Sequence, residues 1–525
     1  MNTPKLWVLA ILVLVAVNLW SLKWLPPVGM DDTLFSSISH NFVQKGRFAW
    51  TMVRPIARFD ENEVMMGRLH LGGLAAMGFL WGPSITSDRL WSWCMAVVSL
   101  FVLWQLAKSS LGPSWGIPAV ALCIAEPMFF SWSHIPRPEM MTTAIFLLAI
   151  FCGMKALDKM GRMWLFLAGL LGALAIAVHL PGVILAPSIA IALILCQKKS
   201  ISFRLNLICF LVGAFIGLSW YLTCHVLVDP QLYSLQWGFH SFVNKIIETS
   251  VGSLVAKIPR EYLRYYQWFW GTGVHRVRLF EGILILCGII IQVRSTNVKS
   301  RYLSITTLSL IAIMGLTVNR KVVYYLLPLY PLFVLHALAA LQSLVEIKRF
   351  GSVREMSRSF SRSCKVVGTL GLVGLFVFYL FQDLAELNKF WQTNYNRYVA
   401  EIISVIPENA VVAGSPSLWY SLGKRNNLLA TVSVLWAIDY NKFQGYPETS
   451  AAEIMSQEKI EFVVIEPYVR QLINSQESAS GSSLMNFLHS ECKLLKAFRN
   501  EKYIGVGDCP EGELTEVFAV VTQHY

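Results

Sequence analysis

Charge is scarce in this chain. Asp, Glu, Lys and Arg make up only 14% of its 525 residues, and 55% are hydrophobic, whereas soluble domains use about a quarter charged residues. That scarcity excludes an ordinary soluble globule and leaves a polytopic membrane protein. Acids are scarcer than bases, 32 against 44, for a formal net charge of +12. The excess does not read as a nucleic-acid surface, because the bases sit in short connectors between apolar runs, where positive charge marks the cytoplasmic side. Also missing is any C-x-x-C pair. Cys94, Cys123, Cys152, Cys196, Cys209, Cys224 and Cys287 lie inside apolar runs as small packing residues. Cys492 and Cys509 stand in polar sequence and can pair if that region faces an oxidising compartment. No internal repeat is apparent, which weighs against transporters built from duplicated halves.

What is present is a series of apolar runs. The first, 6–25, has no small-x-small cleavage site before Pro26-Pro27 and reads as an uncleaved span with its N-terminus inside. Further runs lie at about 90–106, 115–132, 140–156, 164–178, 183–196, 205–224, 279–291, 303–318, 322–344 and 366–381. Segment 69–81 is short, Gly-rich and only weakly hydrophobic. If it spanned, every later connector would change sides. If it lies at the interface or re-enters, the connectors holding Lys108, Lys155 to Arg162, Lys198 to Arg204, Arg294 to Arg301 and Lys348 to Lys365 all become cytoplasmic. The positive-inside rule favours this second arrangement, which gives about eleven spans and an extracytoplasmic C-terminus. The outer connectors are then 26–89, 133–139, the Pro181 corner, 225–278, 319–321 and everything after 382. Asp31, Glu139 and Lys321 fall on one outer face.

Beyond 383 the composition changes. Residues 411–413 and 462–465 read as short strands, stretches near Leu418, Glu453 and Leu484 have helical spacing, and 475–483 is Ser-rich and reads as a flexible loop. The fold class expected is mainly α, a polytopic membrane protein with a small extracytoplasmic α/β domain over 383–525.

Ionisable groups near hydrocarbon are expensive to hold, so those at the outer rim are the candidates for chemistry. Asp31 and Asp32 open a segment whose Leu34, Phe35, Ile38 and Phe42 follow the helical period. Helix capping accounts for Asp32 and leaves Asp31 without a role. A carboxylate here suits a general base, or a divalent cation held through oxygen ligands; residue type leaves both open, and no other cofactor is called for. Glu63 belongs to a second acidic cluster, 60–63, that reads first as a solvated loop and second as a supporting site. In His134-Ile135-Pro136-Arg137-Pro138-Glu139, the helix dipole explains Glu139, while the planar fork of Arg137 suits a phosphate or a carboxylate. Lys321 precedes Tyr324-Tyr325 and the kinking Pro328 and Pro331, and reads either as a snorkelling anchor or as a lipid-phosphate contact. The loop 225–278 carries Trp237, Tyr265, Tyr266, Trp268 and Trp270 and closes on His275, Arg276 and Arg278, further phosphate-contact candidates.

Asp31-Asp32 after the first span, Arg137-Pro138-Glu139 opening the fourth, and Lys321-x-x-Tyr324-Tyr325-x-x-Pro328-x-x-Pro331 occur in this order. The chain resembles the GT-C glycosyltransferases, near the protein O-mannosyltransferases and the bacterial aminoarabinose transferases that modify lipid A. The resemblance covers the membrane region to about Leu344 and implies a GT-C-like domain over 1–382. It implies catalytic roles for Asp31 and Asp32, the latter a shorter acid than the family's usual Glu. Donor-phosphate contacts are implied at Arg137, Lys321, Tyr324, Tyr325 and Arg276, with Glu139, His134 and Glu63 in support. His179-Leu180-Pro181-Gly182 departs from the family's Lys-Gly-Pro corner and lacks its lysine. The implied partners are a polyprenyl-phosphate sugar donor and a lipid, glycan or protein acceptor, with attack inverting the anomeric carbon. The expected location is a bacterial plasma membrane. A transporter or flippase of lipid-linked sugars is the alternative, although it calls for charges near the bilayer midplane rather than at one rim. A non-catalytic receptor leaves the three motifs unexplained.

Overall fold

In the computed structural model the described residues are 3–54, 56–158, 161–196, 201–244, 251–270, 275–317, 323–346, 358–391, 394–423, 428–447, 449–475, 479–499 and 514–521. The chain begins with α1 (Thr3–Ser21), α2 (Met30–Lys45), α3 (Arg68–Trp81) and α4 (Ile85–Ser110). A helical series follows: α5 (Gly116–Ile124), α6 (Pro127–Trp132), α7 (Pro138–Ala156), α8 (Gly161–Leu174), α9 (Leu185–Cys196) and α10 (Ile201–Tyr221). Then come α11 (Pro230–Asn244), α12 (Val251–Trp270), α13 (His275–Val293), α14 (Val298–Thr317), a 3-10 segment Val323–Leu329, α15 (Tyr330–Val345) and α16 (Arg358–Phe390). The apolar runs read from the sequence are therefore helical over most of their described residues. By length and composition, six stretches among the described residues can cross a membrane: Ile85–Ser110, Pro138–Ala156, Leu205–Val226, Val298–Thr317, Tyr324–Val345 and Ser363–Ile403. This is an integral, multi-pass membrane protein.

Local chemistry sets the helix starts. Ser84 caps α4 by accepting from the Ser87 N–H at 3.1 Å, and Pro127 and Pro138 occupy first-turn positions of α6 and α7, where no N–H is needed. The helices differ in what surrounds them. In α10, Ile208, Leu211, Val212 and Phe215 are exposed apolar side chains, an arrangement suited to hydrocarbon rather than water. α15 is enclosed nearly all round and packs on α5, α13 and α16. Gly213 lets α10 reach α8, because a Cβ there would stand 2.1 Å from the Phe166 carbonyl oxygen. α3 has 14 residues, roughly 21 Å at 1.5 Å per residue, against a hydrocarbon core of about 30 Å. Its buried face packs on α2 and α4, and Phe79, Leu80 and Trp81 are exposed at its end.

The C-terminal region holds α17 (Tyr395–Ile403), α18 (Thr431–Phe443), α19 (Ala451–Gln457), α20 (Pro467–Ser475) and α21 (Ala479–Glu491) beside a five-stranded mixed sheet. The strands are β1 (Val412–Gly414), β2 (Leu428–Ala430), β3 (Phe462–Ile465), β4 (Cys492–Arg499) and β5 (Leu514–Val520), in the order β2-β1-β3-β5-β4. β1 runs parallel to β2 and β3, with Val412 opposite Leu428 and Phe462; β5 runs antiparallel to β3 and β4. The stretch 475–483 is not a loop from 479 onward. It forms the first turns of α21, anchored by Ser480 Oγ donating to Asp439 at 3.0 Å and by Ser483 Oγ accepting from the Ala451 N–H at 2.8 Å. Cys509, and with it any Cys492–Cys509 pairing, lies outside the described residues.

Among the described residues two large hydrophobic cores result, in addition to a small cluster of Leu25, Phe130 and Leu387. One joins the membrane helices. The other is shared: Phe35 and Ile38 of α2, Trp50, Met52 and Phe59 of the following loop, and Leu71 and Leu74 of α3 pack with the C-terminal sheet and helices. The stretch from α2 to α3 and the C-terminal region thus form a single apolar unit beside the membrane bundle.

Candidate active site

Asp31 and Asp32 occupy the first turn of α2. The side chain of Asp31 lies outside what the structure describes. Asp32 is buried, and its two oxygens have different partners: Oδ2 accepts the Gly29 N–H at 2.9 Å, closing the helix start, and Oδ1 accepts Arg89 Nε at 2.9 Å. Arg89 is itself fully buried on α4 and donates through Nη1 to the carbonyls of Leu22 and Leu25 at 3.1 and 3.0 Å. The end of α1, the start of α2 and the start of α4 are therefore tied at one guanidinium. Asp32 is committed to that knot.

The corner 133–139 sets Arg137 against Tyr324 of the Val323–Leu329 segment. Its guanidinium grips Glu139 with both arms, Nε to Oε2 at 3.0 Å and Nη2 to Oε1 at 2.7 Å, in the bidentate manner that planar geometry allows. The same group lies 4.5 Å from the centre of the Tyr324 ring, 5.3 Å from Trp132 and 5.9 Å from Phe35 of α2. A desolvated cation over an aromatic face is stabilised by roughly 2 kcal/mol. Tyr325 contacts Tyr324 edge-on at 5.0 Å and His179 at 5.3 Å. Motifs far apart in sequence thus meet in one aromatic and ionic cluster. His134 is engaged elsewhere. Ser21 Oγ of α1 and the Phe130 carbonyl lie 2.9 and 2.7 Å from its ring nitrogens, which pins the corner to α1.

Around this cluster stand three groups whose chemistry the fold fixes. His70 places Nε2 3.2 Å from the Pro136 carbonyl, and Trp91 Nε1 donates to its Nδ1 at 3.3 Å. A carbonyl only accepts and an indole only donates, so the proton sits on Nε2. Burial pushes the imidazoles of His70 and His179 down to about 4, leaving both neutral near pH 7. Glu63 is not solvated, as its acidic neighbours imply, but fully buried, accepting the N–H groups of Met65 and Met66 at 2.8 Å. Burial pushes its carboxyl up to about 7, with those N–H bonds and Arg68 pulling the other way. Its loop is latched to α11 and to the turn after α10, where Gln236 Oε1 accepts from the Val64 N–H at 2.9 Å and His225 bonds the Val64 carbonyl at 2.8 Å. Gly67 brings this loop onto the His179 corner, since a Cβ there would fall 1.8 Å from the Val178 oxygen.

Lys321 lies outside the described residues. Arg276 falls in the first turn of α13 with its side chain likewise outside them. Arg278 has two buried carboxylate partners, Glu126 at 2.9 Å and Glu281 at 3.0 Å, and reads as a structural pin between α6 and α13. Sequence reasoning passed over Arg264 on α12. It is fully buried and pairs with Glu261, while its Nε and Nη1 have no hydrogen-bond partner among the described residues. α12 packs against α13, α14 and the segment Val323–Leu329. The signal was the Glu261-x-x-Arg264 spacing in an amphipathic helix, which reads equally as a surface ion pair. Among the described residues no three His, Cys, Asp or Glu side chains converge as metal ligands.

Residues 74–223, from within α3 to just past α10, match the dolichyl-phosphate-mannose-protein mannosyltransferase family. Among curated proteins none matches the chain. Two structures of ArnT from Cupriavidus metallidurans, one apo and one bound to undecaprenyl phosphate, each align over 99% of this chain and 98% of theirs, with 12% identity and a TM-score of 0.62. The oligosaccharyltransferase AglB from Archaeoglobus fulgidus, in complex with an inhibitory peptide and a dolichol-phosphate, aligns over 99% of this chain and 75% of its own, with 13% identity and a TM-score of 0.55. With its helical membrane bundle, its loop helices and its C-terminal sheet, the chain shares the fold of ArnT and AglB.

Proposed function

We propose that this protein moves a sugar from a polyprenyl-phosphate-linked donor to an acceptor of the cell envelope, on the outer face of a bacterial plasma membrane. The observation that carries this reading is the meeting of α2, the 133–139 corner and Tyr324-Tyr325 around the Arg137 guanidinium. The folds of ArnT, solved with undecaprenyl phosphate, and AglB, solved with a dolichol-phosphate, support a polyprenyl phosphate as the donor's carrier. Basic connectors on the opposite side support eleven spans with the N-terminus inside and the C-terminus outside. The chain divides near 382, inside α16, into a catalytic membrane domain and an extracytoplasmic α/β domain.

In this reading Asp31 is the general base. It withdraws a proton from the acceptor as that group attacks the anomeric carbon from the face opposite the phosphate, so the product is inverted. Charge develops on the departing phosphate, and Lys321 and the Arg264 N–H groups that lack a partner among the described residues are the donors to stabilise it. Arg137 contributes from its aromatic seat, while Glu139 holds its orientation. Both oxygens of Asp32 face hydrogen-bond donors, one of them cationic Arg89. That arrangement leaves the Asp32 carboxylate ill suited to a divalent cation.

The test is twofold. Mass spectrometry of envelope glycolipids and glycans from a deletion strain should show one sugar missing from one acceptor, and an unaltered envelope overturns the reading. Purified Asp31→Asn should fold like the wild type and transfer nothing, whereas substantial residual turnover rejects the base assignment.

A further inference from the structure

α2, which carries Asp31, is held by α4 at two points. Arg89 grips Asp32, and its neighbour Asp88 accepts from His40 Nε2 at 3.2 Å. These anchors stand eight residues apart on α2, about 12 Å at 1.5 Å per residue. Between them, at Ser36, a third contact arrives from the far end of the chain. The hydroxyl of Tyr420 lies 2.9 Å from Ser36 Oγ and 2.7 Å from Asp88 Oδ2. One phenolic proton serves one acceptor, so the tyrosine donates to the carboxylate and accepts from the serine. All six side chains are buried. The adjacent Trp419 meets the His40 ring edge-on at 4.9 Å.

Tyr420 is well supported from behind. It ends the 3-10 turn Pro416–Tyr420 that follows β1, and Tyr395 donates to the Ser417 carbonyl of that turn at 2.8 Å. Ser417 Oγ in turn bonds Glu466, the residue after β3. Buried hydrogen bonds at either end of the turn Pro416–Tyr420 therefore connect the C-terminal sheet to the helix of the proposed base.

We infer that Tyr420 is a positioning residue for Asp31, and that the C-terminal domain serves catalysis by clamping α2 through this hydroxyl. The inference rests on Asp31 being the base. A domain that only covered the site would need apolar packing here, not a polar bridge to a buried carboxylate that must be desolvated and satisfied.

The test uses the full-length protein with Tyr420→Phe, Ser36→Ala and the double variant, which remove the hydroxyl, its partner, or both. Each should purify as a monodisperse protein melting within a few degrees of wild type. Amide hydrogen exchange over 30–45 should rise by about 10- to 100-fold in Tyr420→Phe, the weight of a hydrogen bond to a charged group, while α8 and α10 stay unchanged. In a transfer assay kcat should fall about tenfold or more with donor KM within twofold, and the double variant should be no worse than Tyr420→Phe alone. Unchanged exchange in α2 overturns the clamp, as does an equal rise throughout the molecule. Additive effects of the two changes likewise count against it. Should the wild type transfer no sugar, the exchange measurement still decides the clamp, so the two readings fail separately.

Discussion

Arg89→Met isolates what the buried knot at the head of α2 contributes. Methionine matches the apolar stem of arginine in length, so the change removes the guanidinium with little new cavity. Three acceptors lose their donor at once: Asp32 Oδ1, from 2.9 Å, and the carbonyls of Leu22 and Leu25, from 3.1 and 3.0 Å. Stripping one partner from a buried ion pair costs about 3–5 kcal/mol, and each orphaned carbonyl adds roughly 1 kcal/mol. The sum, about 5–7 kcal/mol, is roughly four to five decades in the unfolding equilibrium at 1.36 kcal/mol per decade. Denaturant titration of the detergent-solubilised protein, read by fluorescence of its tryptophans, measures it. Asp32→Asn in the Arg89→Met background should recover part of the loss, because the amide oxygen still accepts the Gly29 N–H without a buried charge. A cost below one decade for Arg89→Met, or a double variant as unstable as the single one, would refute the account of this knot.

Glu63 gives a pH signature. Its folded carboxyl sits near 7 against an ordinary value of 4.5, so the folded protein holds that proton more tightly than the unfolded one. The corresponding stability, roughly 3 kcal/mol, is fully present below pH 4.5 and lost as pH climbs through 7; Glu63→Gln should flatten the stability profile over that window. Gly67→Ala should destabilise the protein by about 1–3 kcal/mol, since its new methyl collides with the Val178 carbonyl, and a melting curve matching wild type would contradict that close approach. Lys321→Ala and Arg264→Gln should each weaken donor use more than acceptor use in a two-substrate kinetic assay. Equal loss for both substrates rules out a phosphate role.

Hydrophobic runs and the placement of basic residues make the membrane bundle legible from the sequence. A run of apolar residues long enough for hydrocarbon has few alternatives to helix, because the backbone must bond to itself there. β1 and β3 are legible too, as short apolar stretches between polar ones. β2 runs without a break into the apolar start of α18, and β4 alternates poorly because Leu494 and Leu495 are both exposed along it, so periodicity has nothing to report. Ser480 and Ser483 look like linker residues because serine in sequence does not announce its partner; in the fold, Asp439 and the Ala451 N–H make them helical anchors.

The candidate site divides along the same line. Residue type, motif order and the family resemblance together single out Asp31, Arg137, Glu139, Tyr324 and Tyr325 as candidates. What ties the start of α2 and its neighbours down follows from contacts across tens to hundreds of residues: Arg89 with Asp32, Tyr420 with Ser36 and Asp88, Gly67 with Val178. Such pairings have no local signature, because an arginine or tyrosine side chain reads the same in sequence whether water or a buried carboxylate lies beside it. Packing of the first long loop against the C-terminal sheet creates those neighbours. Asp32 thereby becomes a structural anchor, and a domain more than 350 residues away in sequence is brought to bear on the start of α2.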